Sequence, residues 1–174
     1  MCCGPCSIYP LSQLMKEWEV TGLFYNPNIH PYTEFRKRLE TAEEYAEKQG
    51  IRFIKLEEYK LEEFLRNAAF RESQRCNWCY SERLERAASV AKSGGYDAFT
   101  STLLVSPFQK HELIKSIGEE AGKKYGIEFY YEDFRVGYKE GTEKSRELEM
   151  YRQQYCGCIY SEKERYLPEK KKRV

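Results

Sequence analysis

Seven cysteines fall into three groups along the chain: Cys2, Cys3 and Cys6; Cys76 and Cys79; Cys156 and Cys158. Thiolates are soft metal ligands and strong nucleophiles, so these groups bound the chemistry open to the protein. Cys3-Gly4-Pro5-Cys6 has the C-x-x-C spacing of a disulfide exchanger. That chemistry wants a complete strand ahead of the motif and a helix dipole behind it, and it uses only one of the three groups. Two C-x-x-C units about seventy residues apart can equally close a four-thiolate zinc site that stabilises the fold and does no chemistry. Zinc leaves the doubled Cys2-Cys3 and the separate Cys156-Gly157-Cys158 unexplained. Four thiolates can also anchor an iron–sulfur cluster, which transfers electrons.

At 174 residues the chain suits one domain with a full core. Hydrophobic residues make up 41% and charged residues 33%, with 15 Tyr, 9 Phe and 2 Trp, a globular composition rich in aromatics. The 29 basic and 28 acidic residues leave a net charge of +1, so any polyanionic partner must be held by a local patch rather than a global field. The apolar stretches at 8–14 and 98–105 are far shorter than the ~20 residues of a spanning helix, and no basic-then-apolar leader opens the chain. The expectation is a cytoplasmic protein. In that reducing compartment, cysteine clusters point to metal or redox chemistry rather than structural disulfides.

Elements must bring the groups together. Short apolar, β-rich runs predict buried strands at 20–26, 51–57 and 96–105, and a further one at 127–134. Between the first two, Phe35, Leu39, Ala42, Tyr45 and Ala46 recur at helical spacing from Pro31 to Gly50. Further helices are predicted at 7–17, 60–70, 77–92 stopping at Gly94-Gly95, 109–125 stopping at Gly126, and 142–155. This alternation predicts an α/β fold with three layers, a mostly parallel sheet covered by helices on both faces. Sites in such sheets form at strand C-terminal ends, so a short strand ending within residues 1–3 would put the first cysteines in a site loop. Cys76 and Cys79 would sit at a helix's first turn, where free N–H groups favour anionic ligands. Residues 1–162 are expected as one catalytic domain and 163–174, ending "PEKKKRV", as a mobile basic tail.

Taken together, "CCGPCS", "YNPNIHPYTEFRKRLE", "RCNWCYSERLERAA", "TSTLLVSPFQKHELI" and "YRQQYCGCIYS" resemble the QueH-type epoxyqueuosine reductase family over nearly the whole chain. The resemblance implies reduction of epoxyqueuosine in a tRNA anticodon loop to queuosine, on a Rossmann-like sheet of the nucleotide α-hydrolase kind. It implies Cys2, Cys3, Cys76 and Cys79 as ligands of a 4Fe-4S cluster, and Cys156 and Cys158 as a redox-active pair able to close to a disulfide. It also implies a short apolar strand ahead of the double cysteine, where this sequence places only Met1. Cys6 is the sulfur expected off the cluster, free to share a second iron with Cys156, Cys158 or Asp133.

Deoxygenating an epoxide takes two electrons and two protons, and the sequence carries no flavin or cobalamin fingerprint. By chemistry alone, His30, His111, Asp133 and Tyr155 are candidate proton donors. Arg36, Lys37, Arg38, Lys110 and Arg135, with Tyr138 and Lys139 nearby, are candidates for gripping an RNA loop. An electron donor is required that the sequence does not identify. Two other readings use the same residues: a zinc-stabilised RNA-binding module without redox activity, and a thiol-disulfide oxidoreductase centred on Cys3 and Cys6.

Overall fold

A computed structural model describes residues 1–167, and the residues 168–174 of the predicted tail lie outside the described residues. In chain order the elements are α1 (Ile8–Leu14), β1 (Thr21–Tyr25), α2 (Tyr32–Lys48), β2 (Arg52–Leu56), α3 (Leu61–Ala68), α4 (Arg75–Ser93), β3 (Ala98–Phe99), α5 (His111–Tyr125), β4 (Glu128–Phe129), α6 (Tyr138–Glu147) and α7 (Ile159–Tyr166). Helices and parallel strands alternate, as the sequence pattern predicts. The ladders are two: β1 pairs with β2 over five residues and β3 with β4 over two, both parallel.

One device ends three of the helices. Gly50, Gly95 and Gly126 all adopt positive φ, and the next residue donates back five positions: Ile51 N–H to Ala46 O, Tyr96 N–H to Ala91 O, and Ile127 N–H to Gly122 O. Only glycine takes that backbone without strain, and the apolar residue after it turns the chain toward the sheet. Each of these Gly-apolar pairs leads into β2, β3 or β4, so the α-to-parallel-β handover is repeated three times.

The opening residues lie between the two ladders. The Met1 amine donates to Leu23 O in the middle of β1, Asn26 Nδ2 donates to Met1 O at 2.9 Å, and Cys2 N–H donates to Thr102 Oγ1 at 3.1 Å, beyond β3. A cavity of about 210 Å³ separates β1 from β3, lined by Met1, Gly22, Leu23, Arg83 and Phe99 among others. The larger apolar core gathers Leu84, Leu104, Ile114 and Phe134 with Cys2 and Cys3 inside it. A second, around Phe24, Phe35 and Leu39, anchors α2.

Three predicted elements are corrected. The strand expected at 96–105 stops at Phe99, because Ser101 Oγ accepts from Leu103 N–H and starts a 3₁₀ turn at Thr102–Val105. The strand at 127–134 is only Glu128–Phe129, matching its two-residue partner, and Asp133 caps another turn at Phe134–Gly137. The helix expected at 142–155 runs instead from Tyr138 to Glu147. Glu149 at φ 51° ends it as Met150 N–H bonds back to Ser145 O. Residues 148–158 are therefore free to cross back over the first cysteines. Of the expected tail, residues 163–166 belong to α7.

Candidate metal and thiol centre

Cys2, Cys3 and Cys6 share one turn. Gly4 lets it close: a Cβ there would stand 2.8 Å from Thr41 Cγ2 and 2.9 Å from Thr41 O, too near for any larger residue. The three sulfurs lie within 4.8 Å of one another, and Cys2 Sγ and Cys3 Sγ are 3.8 Å apart. Metal–sulfur bonds of ~2.3 Å in tetrahedral geometry give sulfur separations of about 3.8 Å, so this triad can hold a metal ion. Cys6, the sulfur expected off the cluster, lies within this group. With no ion present, hydrogen bonds from Cys3 and Cys6 hold Cys2 well below the ordinary thiol range despite its burial. Burial raises Cys3, and the same hydrogen bonds raise Cys6. One sulfur of the three is thus set to ionise first.

Each sulfur group has a neutral escort. Thr102 Oγ1 lies 3.5 Å from Cys2 Sγ. Gln153 Nε2 donates to Cys6 Sγ at 2.9 Å, Asn28 Nδ2 to Cys79 Sγ at 2.8 Å, and Gln109 Nε2 to Cys156 Sγ at 3.2 Å. Buried amide oxygens of Asn28 and Gln153 have no partner among the described residues. Neutral donors lower a sulfur's charge density without adding a competing cation. A buried cation, Arg83 on α4, faces several of these sulfurs: burial would lower its pKa, yet nearby Cys79, Cys2 and Cys156 more than offset this and hold it up. Arg83, Asn28, Gln109 and Gln153 were not among the expected site residues, although all four stand inside the quoted motifs.

Cys76 and Cys79 open α4 and pack against the same core as Cys2 and Cys3, outside the close triad. Burial pushes Cys79 up to about 12, so its sulfur is protonated at neutral pH unless a metal takes the proton's place. Cys156 is exposed and Cys158 buried, and both are free thiols. Their loop is clamped: His30 N–H donates to Gly157 O at 2.8 Å, Ile159 N–H donates to His30 Nδ1 at 3.3 Å, and Tyr155 Oη donates to His30 O.

Several predicted residues are placed elsewhere. Arg38, expected on an RNA-binding surface, is 2% exposed and pairs with Glu34 at 2.6 Å. Arg36 is engaged by Glu40 and Glu57, Lys37 lies over the Tyr151 ring, and Lys110 is exposed at the start of α5. Asp133 is bound to Arg135 at 2.5 Å, which holds its carboxyl at about 2, so it has no proton to give at neutral pH. His111 is buried rather than on an exposed helix face, with neither ring nitrogen paired among the described residues. His30 is also buried, its pKa pushed down to about 4 by desolvation.

A chain of alternating helices and parallel strands that gathers Cys2, Cys3 and Cys6 closely enough to hold a metal ion defines the class: a mixed helix–strand protein with a candidate thiolate metal site. The model of the family described as epoxyqueuosine reductase QueH matches residues 1–164, and the chain belongs to that family. It is 36% identical over 166 residues to "Epoxyqueuosine reductase QueH" of Dehalococcoides mccartyi, covering 95% of this chain and 91% of that protein. The protein of the same name from Thermotoga maritima is 37% identical over 175 residues, covering 95% and 89%. That of Streptococcus pyogenes is 32% identical, covering 94% and 69%. No helix among the described residues is long and apolar enough to cross a membrane.

Proposed function

We propose that this chain reduces epoxyqueuosine in the anticodon loop of tRNA to queuosine, in the cytoplasm. Both epoxide C–O bonds break, a C=C bond forms, two electrons and two protons enter, and the oxygen leaves as water. The observation that carries this reading is the family match together with the approach of Cys2, Cys79 and Cys156 around Arg83.

The cofactor in this reading is a 4Fe-4S cluster on Cys2, Cys3, Cys76 and Cys79, with Cys6 available to a second iron. What supports it is the donor set: soft sulfurs set against apolar walls. When bound, such a centre supplies single-electron transfer and a Lewis acid for the epoxide oxygen. The chain's own residues do the rest. Asn28 and Gln109 orient Cys79 and Cys156 by amide donation, and Arg83 offsets the negative charge that thiolates bring together. Cys156 and Cys158 supply two electrons and two protons by closing to a disulfide, which an external electron donor then reopens. The parallel pairs flanking residues 1–3 support a Rossmann-like, three-layer arrangement for this single domain. Arg36, Lys37, Lys110 and Arg135 remain candidates for phosphate contacts.

The test is anaerobic turnover of epoxyqueuosine-bearing tRNA, reading conversion to queuosine with and without reconstituted iron and sulfide. Conversion that depends on iron and disappears in Cys76→Ser is expected. A colourless zinc protein that binds the tRNA and leaves the epoxide intact would reject the reductase reading in favour of a binding module.

A further inference from the structure

Phe108 is held out into solvent beside the thiol centre. The residue is 81% exposed, and it immediately precedes Gln109, the amide donor to Cys156 Sγ. Its position comes from a closed turn: Phe108 N–H donates to Ser106 Oγ at 3.3 Å and Gln109 N–H to Ser106 O at 3.2 Å. Tyr138 meets the Phe108 ring edge-on, with centroids 6.0 Å apart and planes at 81°, which braces the ring without covering it. Val136, two residues before Tyr138, is 82% exposed. Lys110 and Lys139 are exposed on either side in sequence. Exposed together with Val136 and next to the residue that donates to Cys156, the Phe108 ring forms part of an apolar patch whose face is open to a partner.

The surface has the chemistry of a single-stranded RNA site. With a chain charge of only +1, RNA must be gripped by a local combination of stacking faces and cations, and this patch offers both beside a thiol. We propose that Phe108 is the stacking platform for an unpaired nucleobase adjoining the one that reacts, with Tyr138 bracing it and Lys110 and Lys139 meeting the phosphates. The proposal rests on the tRNA-loop reading above and adds the surface that presents the loop to Cys156.

Equilibrium binding of the full chain to a labelled anticodon stem-loop lacking the epoxide separates this proposal from turnover. Phe108→Ala is expected to weaken binding about 10- to 100-fold, the range for loss of one base–aromatic stack, while Phe108→Trp keeps affinity and adds fluorescence quenched by the stem-loop but not by a blunt duplex. Phe70→Ala removes a ring that is 99% exposed on the connection between α3 and α4 and should change affinity less than about twofold. Unchanged affinity in Phe108→Ala, or an unquenched indole in Phe108→Trp, would overturn the proposal. So would a defect seen only in turnover driven by a protein electron donor and absent with a chemical reductant, which would assign the patch to the donor. Wild type that binds through Phe108 yet leaves epoxyqueuosine unreduced would reject the reductase reading and keep this one.

Discussion

Arg38 and Cys156 are 118 positions apart in sequence, yet Arg38 Nη1 donates to the Cys156 carbonyl at 2.8 Å. Nη2 donates to the Tyr155 carbonyl at 2.9 Å, and Glu34 balances the charge from one helical turn away. The loop carrying both late thiols thus hangs from α2, a helix packed into the core through Phe35 and Leu39, on the same face as Arg38.

Arg38→Gln strands Glu34 as a buried charge and should destabilise the chain by about 3–5 kcal/mol. The double variant Arg38→Gln/Glu34→Gln removes both charges and should recover much of that stability while leaving the loop untethered. Thermal unfolding with mass-spectrometric thiol trapping checks this: Cys158 in the double variant should be alkylated faster than in wild type, and equal rates would show that the guanidinium does not hold the loop.

The close triad makes a prediction about Cys6. Cobalt(II) titration of the reduced apoprotein, followed by its thiolate charge-transfer absorption, should show Cys6→Ser binding weakened by more than the roughly 10- to 100-fold that loss of an outer partner gives. Gln153→Leu should fall between Cys6→Ser and wild type. Cobalt affinity indifferent to Cys6 would place that sulfur outside the metal site.

His30 ties stability to pH. Its folded pKa of about 4 lies below the ordinary value of about 6.5, so between those values the unfolded chain binds the extra proton. The contribution is therefore complete above pH ~6.5 and lost as pH falls toward ~4, by of order 2 kcal/mol. Denaturant midpoints across this window should fall in wild type and fall less in His30→Asn. A parallel decline in both would assign the effect to other groups.

Two glycines separate a packing requirement from a helix-propensity one. A Cβ on Gly137 would stand 2.0 Å from Tyr9 Cγ, whereas on Gly141 its nearest neighbour is 3.7 Å away. Gly137→Ala should destabilise by about 1–3 kcal/mol. Gly141→Ala, inside α6 with room to spare, should stabilise by up to about 1 kcal/mol. Chemical denaturation of the two variants reads the contrast directly.

What could be read from the sequence divides along physical lines. Helix stops were legible because Gly50, Gly95 and Gly126 are needed for their φ, a local requirement written in residue type. The cysteine groups were legible because few residues do their chemistry. Strand lengths were not: β3 and β4 pair over only two residues each, and what shortens β3 is the single side-chain bond from Leu103 N–H to Ser101 Oγ. Arg38 read as a surface cation because its neighbours Arg36 and Lys37 are charged, and only the return of residues 155–156 explains its burial. The amide escorts were invisible because Asn and Gln are common, and nothing in their spacing marks those that meet sulfur.

The contact between Gln153 and Cys6 spans 147 positions, and that between Arg38 and Cys156 spans 118. During synthesis the first three cysteines emerge early, while the residues that escort and cover them are still untranslated. Assembly of the centre is therefore a late event, which waits until residues 153–156 have been made. Until then the leading thiols stand open to oxidants and to adventitious ions, so the yield of competent protein depends on how reducing the cell keeps its nascent chains.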